Sequence, residues 1–148
     1  MLEVPGDVLL FVHAFATLMM VGLIWFVQVV HYPLMANVGE ASFLQYSKLH
    51  QKWTTLVVGP PMLLEAFSAV WLLRQFDGSL PIALLWWGVG LIFVIWLSTM
   101  FLQVPMHHRL EHGFDLKAIR FLVWSNWIRT IAWTARGVIA LWMLRPLW

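Results

Sequence analysis

Long apolar runs separated by short polar breaks mark four stretches of spanning length along this chain, residues 8–30, 54–73, 80–104 and 121–144. Each lies near the ~20 residues that cross ~30 Å of hydrocarbon. Lipid offers backbone groups no hydrogen bonds, so such segments satisfy them internally as α-helices. The pattern predicts an all-α integral membrane protein, a four-helix bundle forming one transmembrane domain over residues 1–148. No Lys or Arg precedes the first run, and its apolar length exceeds that of a signal-peptide core, so it is expected to remain as a helix. Residues 39–52 set Phe43, Leu44, Tyr46 and Leu49 among polar neighbours, which suits a segment lying in the interfacial plane. His50 would then stand at a hinge where the chain enters the second span. Residues 115–120 read as a similar approach to the fourth.

The tetrad Phe26-Val27-Gln28-Val29 recurs as Phe101-Leu102-Gln103-Val104. Each is followed by a proline (Pro33, Pro105), a polar amphipathic stretch, and a tryptophan that opens the next run (Trp53, Trp127). The tetrads are 75 residues apart and the tryptophans 74. Two readings stay open: two duplicated helical hairpins packed as parallel repeats, or simply a common way of ending membrane helices.

Composition agrees with the pattern, since 61% hydrophobic and 11% charged residues exclude a soluble domain of this size. Cysteine is absent, which removes disulfides, iron–sulfur clusters, thiolate nucleophiles, c-type haem attachment and cysteine lipidation. Ligand chemistry must draw on His, Met, Tyr or carboxylate. The lipid bilayer is the expected environment, no nucleic-acid partner is expected, and small spans with little mass outside them favour a homo-oligomer, a homodimer in the simplest case. Lys48 and Lys52 in the first connection, and Arg109, Lys117 and Arg120 in the third, outweigh Arg74 in the second. By the positive-inside rule both chain ends face outward across a bacterial inner membrane, with Arg145 the opposing feature. Of eleven tryptophans, Trp53, Trp86, Trp87, Trp124, Trp127, Trp142 and Trp148 fall near span ends, where aromatic belts form. Trp25, Trp71, Trp96 and Trp133 lie deeper and suit either a flat cofactor or lipid. Gly22, Gly59, Gly88, Gly90 and Gly137 would permit close helix approach. Pro60-Pro61 should kink the second span and open room beside His50.

His31, His50, His107, His108 and His112 sit at run edges that end on one side of the membrane. Neutral imidazole ligates haem iron and other metals, and bundles build such sites from facing helices. His31, His50, His107 and His108 are therefore the candidate metal ligands, although the adjacent pair 107 and 108 can turn only one ring inward. His112, beside Glu111, reads as solvated. His13 stands ~27 Å from His31 at 1.5 Å per residue, so it is either a separate haem ligand or a hydrogen-bonded core residue. Glu65 and Arg136 fall at similar depths, and Arg129 and Asn126 share the face of Arg136. Ionisable groups at such depth normally pair inside a bundle, so Glu65 is expected to contact Arg136 or Arg129, as a structural bridge or a functional one. Glu65 and Arg129 are the candidate catalytic residues, with Glu65 moving a proton. His50, His13, Arg136 and Asn126 are candidate cofactor contacts, because a guanidinium pairs with porphyrin propionates or an anionic substrate.

The strings His31-Tyr32-Pro33-Leu34, His50-Gln51-Lys52-Trp53, Gly59-Pro60-Pro61-Met62-Leu63-Leu64-Glu65 and Asn126-Trp127-Ile128-Arg129-Thr130 resemble a group of small bacterial four-helix membrane proteins of uncharacterised activity. In layout the chain is also similar to HemJ-type protoporphyrinogen oxidases and copper-resistance D proteins, through His13, Trp25 and Pro33. It is more distantly similar to anthrone-oxygenase-like membrane proteins. The leading expectation is b-type haem with redox or oxygen chemistry, which the resemblance leaves open; copper or zinc on His31, His50 and His107 is the rival, since imidazole suits both, and a quinone or other hydrophobic redox partner is expected. The lysine of the HemJ-type bundle has no counterpart inside these spans, which argues against protoporphyrinogen oxidation itself. A small-solute or lipid-binding transporter module, with Glu65, Arg129 and Arg136 along its pathway, and a scaffold without chemistry are the other two expectations.

Overall fold

The computed structural model describes residues 6–75, 78 and 80–145. They form four helices and no strand: α1 (Gly6–Met35), α2 (Glu40–Arg74), α3 (Ile82–Leu110) and α4 (Leu116–Met143). The first three are long and apolar enough to cross a membrane. At 28 residues α4 reaches ~42 Å. It is less apolar because its polar side chains turn inward. Trp148, assigned above to an aromatic belt, lies outside the described residues.

The centre of the bundle is α4. Ile119, Leu122, Asn126, Arg129, Trp133, Arg136, Ala140 and Met143 are all buried and alternate by three and four residues. This is the seam of left-handed helix packing, and it meets α1 and α3, while α1 also packs along α2. Three apolar clusters stack along the bundle: Leu9, Leu10, Leu72, Leu85 and Met143 at one end, Met20, Ile24, Met62, Ile95 and Trp133 in the middle, and Tyr32, Met35, Phe43, Leu110 and Leu122 at the other. Polar residues fill the layers between. The outer surface carries Phe15, Trp53, Phe67, Trp86, Trp87, Phe93 and Trp124, all well exposed as lipid-facing side chains would be.

The helices run longer than the apolar runs that reveal them. The stretch 39–52 does not lie in an interfacial plane; it is the start of α2, and His50 sits in unbroken helix rather than at a hinge. Phe43, Ser47 and His50 recur at helical spacing and bury against the bundle, and nothing between Glu40 and Trp53 breaks a helix. Nor do Pro60 and Pro61 interrupt α2. At the far end of α3, Asp115 caps α4 by accepting the backbone N–H groups of Lys117 and Ala118 at 2.9 and 3.1 Å, and pairs with Arg109 Nη2 at 2.6 Å.

Both α1 and α3 contain one wide, π-helical turn, Val27–His31 and Thr99–Gln103. The amide of Tyr32 reaches back five residues to Val27, and that of Val104 to Thr99. In each case the second residue beyond is proline, Pro33 or Pro105. A proline ring would collide with the carbonyl four residues back, Val29 or Phe101, and the wider turn accommodates it. These turns recur at 72 residues, not the 75 of the tetrads, so no single register relates the two hairpins.

Of the glycines, only Gly137 holds helices at close approach: a Cβ there would stand 2.9 Å from Val21 Cγ2. At Gly88 an added Cβ would meet Arg136 in ordinary contact, and at Gly22, Gly59 and Gly90 it would meet nothing, so these do not bring helices together.

Candidate ligand cavity and its histidines

Two polar layers cross the bundle. The first joins α2 to α4: Arg136 Nε donates to Glu65 Oε1 at 2.7 Å, Trp133 Nε1 donates to Glu65 Oε2 at 2.9 Å, and a second Arg136 nitrogen reaches the carbonyl of Gly88. Of the two partners expected for Glu65, it takes Arg136, with both side chains almost wholly buried. His13 Nδ1 lies 2.8 Å from Ser68 Oγ in the same layer. The space beside His13 and Arg136 is about 10 Å³, which is room for about one water and not for a porphyrin. Of its two readings, His13 takes that of the hydrogen-bonded core residue, and neither it nor Arg136 reaches the main cavity.

The second layer is built on the wide turns. Gln28 accepts from Asn126 Nδ2 at 2.9 Å and donates to the carbonyl of Val123, while Gln103 donates to Ser125 Oγ at 3.0 Å and accepts from Ser98. The turns thus aim an amide from α1 and one from α3 at adjacent positions of α4. Asn126 is fully buried and does not line the cavity; its Oδ1 instead takes Arg129 Nε at 3.0 Å. Thr99 Oγ1 takes Arg129 Nη1 at 3.2 Å, and the guanidinium sits 5.7 Å from the ring centre of Trp133. No carboxylate pairs with Arg129 among the described residues; Glu65 is committed elsewhere.

Beyond this layer α1, α2 and α3 bring three histidines together. His31 Nε2 and His50 Nδ1 are 2.8 Å apart, with rings stacked at 4.4 Å, and the rings of His50 and His107 are 5.4 Å apart. Thr54 Oγ1 also meets His50 Nδ1, at 3.0 Å, and Tyr46 OH approaches His31 at 3.4 Å. His107 Nε2 bonds Tyr32 OH at 2.9 Å, whereas its Nδ1 is buried without a protein partner. His108, counted among the metal candidates, is turned outward onto Glu111 at 3.1 Å, because its neighbour His107 holds the inward direction. His112 is likewise outside, on the carbonyl of His108. Among the described residues no three His, Asp or Glu side chains are arranged to hold a metal ion, since His31 and His50 spend nitrogens on each other.

His50 and His107 wall two adjoining hollows. One, of about 340 Å³, extends down between the helices past Val58, Met62, Trp96 and Trp133, with Arg129 and Gln103 in its wall. It opens to the surface between α2 and α3, where the exposed Thr55, Leu63 and Val104 line it. The other, of about 260 Å³, lies toward Gln51 and the exposed His108. Gly59 and Met62 border the first hollow, while Pro60 and Pro61 do not line it.

Of the residues singled out from sequence, the fold brings His50, His107 and Arg129 to one cavity, with His31 bonded to His50 but not lining it. It leaves His13, Glu65 and Arg136 in a separate layer. Sequence reasoning passed over Tyr32, Thr54, Thr99, Gln28 and Gln103, the residues that hold those side chains in place. The repeated glutamine of the two tetrads was the visible signal for two of them. No known protein family, curated protein or solved structure matches the chain.

Proposed function

We propose that this chain binds a largely apolar ring compound in the cavity walled by His50 and His107, with b-type haem held by His50 as the leading identity and redox or oxygen chemistry as the role. One observation carries the reading. His50 Nδ1 is held by His31 and Thr54 while no protein group among the described residues bonds Nε2, at the head of an apolar hollow of about 340 Å³. Ligating histidines are commonly fixed in this way through the other ring nitrogen, and pockets of roughly 300–1,000 Å³ lined by apolar walls with few polar groups are typical ligand sites. The rings of His50 and His107 stand too close to bracket a flat macrocycle, so His50 would be the sole ligand from this pair. Haem, when bound, supplies one-electron or oxygen chemistry. The chain's own residues would orient the ring and keep water out along the apolar wall, with His31 and Thr54 holding the His50 imidazole through Nδ1.

In this reading the histidine end faces the cytoplasm of a bacterial inner membrane, because Lys48, Lys52, Arg109, Lys117 and Arg120 lie at that end. A quinone is the alternative ring compound, and it would enter from the bilayer through the same gap. An absorption spectrum with iron analysis on freshly purified protein tests the proposal. A Soret band that His50→Ala abolishes is expected; a colourless preparation without iron overturns the haem identity, and organic extraction of the same sample then looks for a quinone.

A further inference from the structure

We infer that the occupant of the larger cavity carries an anionic carboxylate, placed against Arg129. This rests on the cavity being a ligand site and adds to that reading the charge of the ligand. Arg129 is only 8% exposed, and none of its neighbours Asn126, Thr99, Tyr32 and Trp133 carries a carboxylate. A buried guanidinium without a counter-ion is costly, and within a membrane such groups pair with one another or line a functional cavity. The other buried arginine obeys the first pattern, since Arg136 has Glu65. Arg129 differs in having no acid and in lining the hollow of about 340 Å³.

No hydrogen bond of ordinary geometry ties Arg129 Nη2 to a protein group among the described residues, although the Tyr32 hydroxyl lies near the guanidinium, and Nη2 is not among the buried atoms without partners, so it keeps accessible surface. Nε and Nη1 are meanwhile fixed by Asn126 and Thr99, which are in turn held by Gln28 and by the backbone of α3. A guanidinium held on one side and free on the other is organised for a carboxylate oxygen. The apolar walls require the rest of the molecule to be hydrocarbon. Two sources share this chemistry: a ring with carboxylate arms, such as a porphyrin, and an acyl-chain carboxylate drawn from the bilayer through the gap between α2 and α3.

The test uses the full-length protein in non-ionic detergent and two matched pairs of probes, hemin with its dimethyl ester and palmitate with its methyl ester. Binding is measured by equilibrium dialysis. For whichever skeleton binds, the free acid should bind about tenfold or more tightly than the ester, as a charge-assisted contact would give. Arg129→Gln should erase that difference while leaving ester binding intact, which also reports that the variant is folded. The skeleton that shows the effect identifies the source. Equal binding of acid and ester to the unaltered protein overturns the inference while leaving the cavity as a ligand site, and that comparison needs no variant. Failure of every probe in both forms overturns the inference together with the haem identity.

Discussion

Trp133 and Arg136, one turn apart on α4, divide a single carboxylate between them: the indole N–H takes one oxygen of Glu65 and the guanidinium takes the other. The acid on α2 is thereby fixed in depth and in rotation against α4. Removing one charge should leave the other stranded, at roughly 3–5 kcal/mol. Glu65→Gln is therefore expected to lower the thermal unfolding temperature in mild detergent more than the double change Glu65→Leu with Arg136→Leu. A Glu65→Gln protein as stable as the unaltered one would show that the pair adds nothing to the fold.

Thr54 and His31 both meet Nδ1 of His50 and leave Nε2 to the cavity. If haem is bound there, His31→Ala should weaken it by roughly 10–100-fold, the usual cost of losing a partner of a ligating histidine. Thr54→Val should act in the same direction. Titration of hemin into the purified variants, followed at the Soret band, measures both. Undiminished binding in the double variant would remove Nδ1 orientation from the account.

Gly137 and Gly22 offer a matched contrast in packing. An added methyl group at 137 would press on Val21 at 2.9 Å, whereas at 22 it would meet nothing. Gly137→Ala should destabilise by about 1–3 kcal/mol, as overpacking does. Gly22→Ala should be neutral or stabilising by up to about 1 kcal/mol, from the better helix propensity of alanine. Unfolding of the two variants side by side distinguishes these outcomes.

The cap on α4 carries a pH dependence. Backbone N–H groups of Ala118 and then Lys117, together with Arg109, hold the Asp115 carboxyl below the usual carboxylate range. A folded-state pKa below the unfolded one means that the contribution is complete above the ordinary aspartate value and is lost as pH falls through the lowered one. Stability should therefore drop on acidification in the unaltered protein. That part of the drop should be missing in Asp115→Asn, which keeps an oxygen for capping but has no proton to bind. Identical acid profiles would show that the cap is electrostatically silent.

Four helices were legible because apolar runs of spanning length have no other stable form in lipid. Their true extent was not, because hydropathy marks where a chain is surrounded by hydrocarbon and not where it is helical: α2 starts at Glu40, well before its apolar run. That Glu65 pairs with a buried arginine was readable from depth, since ionised groups at that level need each other, but which of Arg129 and Arg136 it takes was not. The gathering of His31, His50 and His107 on one side was expected from three helix ends, although His50 meets the others from within α2, and which of His107 and His108 turned inward depended on the helix's rotation. Trp133 as a donor to Glu65, and Gln28, Thr99 and Gln103 as supports, were invisible for a different reason. Moderately polar or aromatic side chains cost little on either face of a helix, so only the packed partner reveals their task.

Each wide turn adds one residue to a helix that otherwise advances by about 100° per residue. Whatever follows it is swung by that angle, and Tyr32 and His31 owe their bearing toward His107 and His50 to this one extra count. Loss of a single residue between Val27 and His31 would leave α1 intact as a membrane span yet rotate its last turn away from the cavity. The geometry of the histidine end is thus stored as chain length, at a place where no side chain need change for it to be lost.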